Sequence, residues 1–215
     1  MPKIRNAFIL SKHPILLKSL LSFRFGGYLY ESGWIESFKR QEPVSTNGDP
    51  LPWITLPCLD FIENRLNKDM SIFEYGAGNS TFYFSKLAGN VVSVEHNQEW
   101  FDKISKKSNS NIFINYCPLK YDDEYCRFIT IPDSDFDLIV VDGRDRVNCI
   151  KNCIKKLTYS GCIILDDSER KQYKEGIDYL TSRGFKKIDF WGMALGLTYK
   201  KCTTIFYRED NCFGI

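Results

Sequence analysis

The sequence predicts an α/β domain built on a doubly wound, mostly parallel sheet. Three observations carry that reading. From about residue 56, short apolar runs alternate with helix-like stretches. Runs such as FDLIVVD and GCIILDD are apolar throughout rather than every second residue. A sheet covered on both faces requires such strands. Each of the best runs also ends in glycine or a carboxylate, where ligands bind in open α/β sheets.

The elements follow in order. Residues 1–55 read as an N-terminal helical cap with a substrate-side loop. The stretch MPKIRNAFILSKHPILLKSLLSF is basic and apolar and suits one or two amphipathic helices packed on the domain, with a signal peptide or attachment to a membrane surface as alternatives. Gly26-Gly27, the aromatics Tyr28, Tyr30 and Trp34, and the turn-rich QEPVSTNGDPLPW complete this part. Residues 56–215 form the main domain. Helices are predicted over 56–67, 80–88, 99–108, 146–157 and 168–183. Strands are predicted over 71–75, 91–95, 112–116, 136–142 and 161–167, with 119–135 irregular. Two last strands fall near 186–191 and 202–208, and their short connection GMALGLTYKK suits a hairpin.

At 215 residues and 25.1 kDa the chain suits one full-sized core. With 43% apolar and 26% charged residues, disorder and fibre are excluded. A net charge of +2 gives no general pull toward nucleic acid, so no nucleic-acid partner is expected. No apolar run is long enough to span a bilayer, so stable membrane insertion is not expected. The eight cysteines include no CxxC pair, and several sit in apolar runs, as buried reduced thiols of a cytoplasmic protein would.

Four motifs carry chemistry. In FEYGAGNST, Gly76 and Gly78 mark either a tight strand-to-helix turn or a cradle for a ligand, and Asn79, Ser80 or Thr81 can cap the helix. In VVSVEHN, Glu95 lies seventeen residues beyond Gly78, close to the spacing of a ribose-binding acid. In FDLIVVDGRDR, Asp142 ends a strand, and Arg144 and Arg146 either clamp an anionic acceptor or form internal ion pairs. In IILDDSER, Asp166 and Asp167 join Asp142 at neighbouring strand ends. The three could hold a divalent metal, one could be a general base, and Asp167 or Ser168 could simply cap the next helix. Tyr28, Tyr30, Trp34 and Trp53 either stack on an acceptor or anchor the cap.

Taken together, EYGAGNST, VVSVEHN, FDLIVVDGRDR and GCIILDDSER resemble the motif series of class I S-adenosylmethionine-dependent methyltransferases. The stretch GWIESFKRQEPV…DPLPWITLPCLDFIE looks like a group of small bacterial methyltransferase-like proteins, and the resemblance covers roughly residues 33–208. It implies a Rossmann-like, seven-stranded sheet with a reversed last strand. It implies that Glu74, Gly76, Ala77 and Gly78, with Asn79 and Ser80, hold the methionine end of S-adenosylmethionine. Glu95 would bind the ribose and His96 would flank the adenine. Cys117-Pro118 stands where relatives carry an acid, so backbone groups at Cys117 would serve the adenine.

The resemblance specifies the cofactor better than the acceptor; the residues are read as methylating a hydroxyl on a small molecule or glycan, with Asp142 as first choice of base and His96 as second. Trp34, Arg144, Arg146 and Asp167 would face the acceptor. Relatives that use metal often show Asp-Asn where this chain has Asp166-Asp167, and no lysine stands near Asp142 in sequence. Two alternatives stay open: a silent cofactor-binding domain, and a nicotinamide-dependent oxidoreductase, which the missing third glycine of GxGxxG disfavours. A homodimer also stays open.

Overall fold

A computed structural model describes residues 12–107 and 109–215. Seven strands form one sheet: β1 (Ser71–Tyr75), β2 (Asn90–Glu95), β3 (Ile112–Tyr116), β4 (Phe136–Val141), β5 (Leu157–Asp166), β6 (Lys186–Gly192) and β7 (Lys201–Tyr207). Their order is β3-β2-β1-β4-β5-β7-β6. The first five pair in parallel. Strand β7 runs antiparallel to both β5 and β6, so the predicted hairpin and reversed last strand are present.

The continuous apolar runs are explained by burial on both faces. Phe73, Tyr75, Ile139, Val141, Ile163 and Leu165 point into one core. Their neighbours Ile72, Leu138, Val140 and Ile164 point into the other. The chain order reverses between β1, flanked by β2, and β4. That switch opens a crevice beyond the strands' C-terminal ends. Two glycines let β1 and β4 close up there. Gly76 has φ +91°, and a Cβ on it would lie 3.1 Å from Gly143 Cα. A Cβ on Gly143 would lie 2.1 Å from the Tyr125 hydroxyl.

Two expectations are corrected. The helix predicted over 168–183 begins only at Lys174 and runs to Ser182. Residues 167–170 are instead tied to β7. The Ser168 and Thr204 hydroxyls lie 2.6 Å apart, Glu169 Oε2 accepts from the Cys202 N–H at 2.9 Å, and Asp167 takes φ +53°. Neither Asp167 nor Ser168 caps that helix, whose N-cap position is Tyr173. At the N-terminus, α1 (Pro14–Ser22) buries none of its residues, so it is not the packed helix the sequence predicts. The part of that reading that covers residues 1–11 lies outside the described residues.

Beyond α1, the helices α2 (Tyr28–Glu31) and α3 (Trp34–Arg40) lead into the loop. Trp34 Nε1 donates to the Leu197 carbonyl at 2.8 Å, and Thr55 N–H to Thr203 Oγ1 at 3.0 Å. The cap and the expected boundary at residue 55 are therefore stitched onto the end of the sheet that bears β7. All eight cysteines are free thiols, seven of them buried.

Candidate active site

A cleft of about 550 Å³ lies at the C-terminal ends of β1, β2 and β4. Its floor begins with the turn after β1, which enters α4 (Asn79–Leu87). Gly76 N–H donates to Val94 O at 2.9 Å, and Ala77 N–H to Glu95 Oε2 at 3.1 Å. A Cβ on Gly78 would meet nothing closer than Trp100 Cζ2 at 3.9 Å. The missing side chain there leaves the cleft open rather than relieving a clash.

Glu74 braces the turn from behind and does not line the cleft. Its Oε2 accepts from Thr81 Oγ1 at 2.6 Å and Ser93 Oγ at 3.1 Å, and Thr81 Oγ1 accepts from Gly78 N–H at 3.0 Å. Glu74 Oε1 is buried with no partner. Burial pushes the Glu74 carboxyl up to about 7, against the pull of the Ser80, Thr81 and Ser93 hydroxyls. A carboxyl raised on folding supports the fold only while it is protonated. Its contribution is full below the ordinary carboxylate range and is lost as pH rises through about 7. The thermal stability of the wild type relative to Glu74→Gln should therefore fall between pH 5 and pH 8, by about 3 kcal/mol. A melting-temperature difference that stays constant over that interval would show that Glu74 does not titrate there.

Glu95 ties the end of β2 to the glycine turn. Besides Ala77, its Oε1 accepts from the His96 and Asn97 N–H groups at 2.8 and 2.7 Å. Asn97 Oδ1 caps α5 (Gln98–Ile104) by accepting from Trp100 N–H at 2.8 Å, and Trp100 Nε1 donates to Ala77 O at 2.7 Å. His96 also lines the cleft. Its Nδ1 lies 2.9 Å from Glu95 Oε1 without the angle a hydrogen bond needs, and its ring stands edge-on to Tyr125. Cys117 does not line the cleft: its side chain is in the core, and its N–H donates to Glu95 O at 2.9 Å.

The opposite wall is the end of β4. Asp142 is half-buried, and its Oδ1 accepts from Arg146 Nη2 at 2.8 Å. Arg146 also donates to the carbonyls of Gly143, Asp142 and Asp166, and it packs against the Tyr173 ring. Of the two readings the sequence leaves open, the internal ion pair describes this buried guanidinium, and its donors are taken by the protein itself. Arg144, by contrast, is exposed at the cleft wall. Among the described residues no carboxylate pairs with it.

A second cavity of about 220 Å³ adjoins the first, and Trp53 and Asp142 line both. Asp166 and Asp167 lie at its base, among three cations. Lys201 pairs with both carboxylates, Thr203 Oγ1 donates to Asp166 Oδ1 at 2.7 Å, and Arg170 reaches Asp167 Oδ2 at 2.7 Å. Burial, with Asp142 nearby, pushes the Asp166 carboxyl up to about 7 against the pull of Lys201. The cavity's enclosure likewise holds Asp142 above the ordinary carboxylate range, with Arg146 and Lys201 opposing.

The metal set Asp142, Asp166 and Asp167 does not fit this arrangement, because the donor oxygens face Arg146, Lys201 and Arg170. Among the described residues no group of three or more His, Cys, Asp or Glu side chains is arranged to hold an ion.

Several site residues escape the sequence reading. Trp100 is absent from it, although the helix beginning QEW directly after β2 is its signal. Gln41, Glu42 and Pro43, which the sequence assigns only to the substrate-side loop, line the cleft, and Asn79 Nδ2 holds that loop through Pro43 O at 2.8 Å. Lys201 enters the acidic cluster from β7, so a lysine does stand near Asp142 in space. Trp34 is displaced from the acceptor site: it stacks on Phe38 and lines an apolar groove with α1 instead.

No protein-family model matches the sequence, and no curated protein is similar to it in sequence. Solved structures are similar in fold. The precorrin-6y C5,15-methyltransferase of Geobacter metallireducens superposes with a TM-score of 0.56 at 14% identity, over 72% of this chain and 88% of that one. An rRNA methylase from Streptococcus thermophilus gives 0.53 at 15%, over 74% and 100%. The chain has the class I methyltransferase fold. A protein described as a precorrin 8w decarboxylase, from Methanobacterium thermoautotrophicum, shares the methyltransferase fold with a TM-score of 0.52 at 16% identity, over 71% and 88%. The fold therefore sets where the site lies, and the residues at the site must decide its chemistry.

Proposed function

We propose that the cleft binds S-adenosylmethionine and that the chain methylates a hydroxyl of a small molecule or glycan seated in the adjoining cavity. The observation that carries this reading is the contact between Ala77 N–H and Glu95. It sets the glycine turn and the strand-end acid on one cleft at the switch of strand order.

Each carboxylate oxygen offers about two acceptor positions. Glu95 Oε1 has both taken by backbone N–H groups, and Oε2 keeps one for a ribose hydroxyl. The first-turn N–H groups of α4, at Asn79 and Ser80, suit the carboxylate of the methionine end. His96 and Trp100 flank the adenine. When bound, the sulfonium supplies an already activated methyl group, so positioning matters more than strong chemistry.

Asp142 stands where the two cavities meet. Its raised carboxyl makes it a stronger base than an exposed aspartate, fit to take the proton of an acceptor hydroxyl. Trp53 and Tyr199 offer ring faces to a sugar or aromatic acceptor, and Arg144 offers a cation to its polar groups. Glu74 and Arg146 act by position: one braces the turn, the other holds Asp142.

Calorimetric titration should show S-adenosylhomocysteine binding and no heat from NAD. NAD binding without S-adenosylhomocysteine binding would overturn the reading in favour of a nicotinamide enzyme.

A further inference from the structure

We propose that α1 and the turn after it dock on an anionic lipid surface. By helical spacing, Leu16, Leu17, Leu20 and Leu21 share one face of α1, and Lys18, Ser19 and Ser22 share the other. The serine hydroxyls donate to carbonyls of the helix itself, Ser19 to Ile15 O at 3.0 Å and Ser22 to Ser19 O at 2.7 Å. The apolar face has no such internal partner. On that face Leu16 is 49% exposed and Leu21 61%, and in the turn after the helix Phe25 is 76% exposed.

The patch extends beyond the helix. Leu20, Leu21 and Phe23 continue into an apolar groove of about 470 Å³ with Trp34 and Phe38; Arg24 stands at its rim, and Lys39 there pairs with Glu36. An apolar surface of this extent marks an interaction site.

Charge selects the occupant. Between His13 and Glu31 the chain carries Lys18 and Arg24 and no acidic residue. A second copy docked through the same face would bring two such sets of cations together. An anionic bilayer surface neutralises them and accepts the leucine and phenylalanine side chains at its headgroup boundary. Among the described residues no helix is long and apolar enough to cross a membrane, so the contact lies on the surface.

The test uses the full chain and sedimentation with vesicles of phosphatidylcholine alone or with about 30% phosphatidylglycerol. Partition onto the anionic vesicles should exceed that onto the neutral ones by about tenfold or more and weaken as salt is raised. Leu21→Glu and Phe25→Glu change exposed side chains. Each should lower vesicle binding about tenfold while leaving the melting temperature and S-adenosylhomocysteine affinity unchanged.

Absence of binding to anionic vesicles would overturn the proposal. So would equal binding by the wild type and both variants, or a dimer that Leu21→Glu disperses while neither protein binds vesicles. Vesicle binding does not depend on the cleft, so its failure is distinguishable from failure of the methyltransferase reading.

Discussion

Exchanging Asp142 for asparagine is expected to slow methyl transfer by about 100- to 1000-fold while S-adenosylhomocysteine affinity stays within about threefold. The amide keeps an oxygen for the Arg146 bond at Oδ1, so the wall of the cleft keeps its shape. Arg146 also retains the carbonyls of Gly143, Asp142 and Asp166 and lies 3.7 Å from Asp167. What asparagine removes is the basic site at the junction of the two cavities. The wild-type rate should rise with pH as the raised Asp142 carboxyl loses its proton, and the variant should lack that limb. The measurement is transfer of labelled methyl groups to a panel of hydroxyl acceptors, with melting temperature as control. Equal turnover in the two proteins removes Asp142 from the role of base.

The second large effect is expected at Glu95. Alanine there should weaken S-adenosylhomocysteine binding about 10- to 100-fold, the equivalent of about 1.5–3 kcal/mol for hydrogen bonds to a charged group. The loss has two parts. One is the contact to the ribose. The other is release of the Ala77, His96 and Asn97 N–H groups, which hold the glycine turn and the start of α5 in place. Glu95→Gln separates them. Its single oxygen can serve His96 and Asn97, but its amide presents a donor to the Ala77 N–H, so its affinity should fall between the other two. Calorimetry reads all three. Unchanged affinity in the alanine variant would remove the ribose assignment.

The elements that the sequence discloses best are those whose cause is local. Strands buried on both faces are mostly apolar, so β1, β2, β4 and β5 are legible as runs, with the buried Ser93 donating to the buried Glu74. The turn after β1 needs Gly76 at a positive φ, and the acid ending β2 follows at a fixed distance along the chain. These features place the cleft before any coordinates are known.

The sequence misleads where a distant strand decides. The helix expected from residue 168 is held back to Lys174 because Ser168 and Glu169 bond to β7. Trp34 and Trp53 look equivalent as aromatic residues of the cap. Trp34 bonds to Leu197 O and turns toward α1, whereas Trp53 bonds to Leu195 O at 2.7 Å and lines both cavities.

By itself, then, the sequence determined the succession of strands, the closing hairpin, and the glycine turn and strand-end acid that mark the cleft. Only the tertiary structure decided which charges are free. Arg144 and Arg146 are two residues apart, yet one faces the cleft and the other is sealed among Asp142, Asp166 and Asp167. Asp166 and Asp167 resemble metal ligands until β7 brings Lys201 between them. Strand periodicity is a property of neighbouring residues and is written locally. Neutralising a buried charge takes whatever partner the topology delivers, and that partner can come from anywhere in the chain.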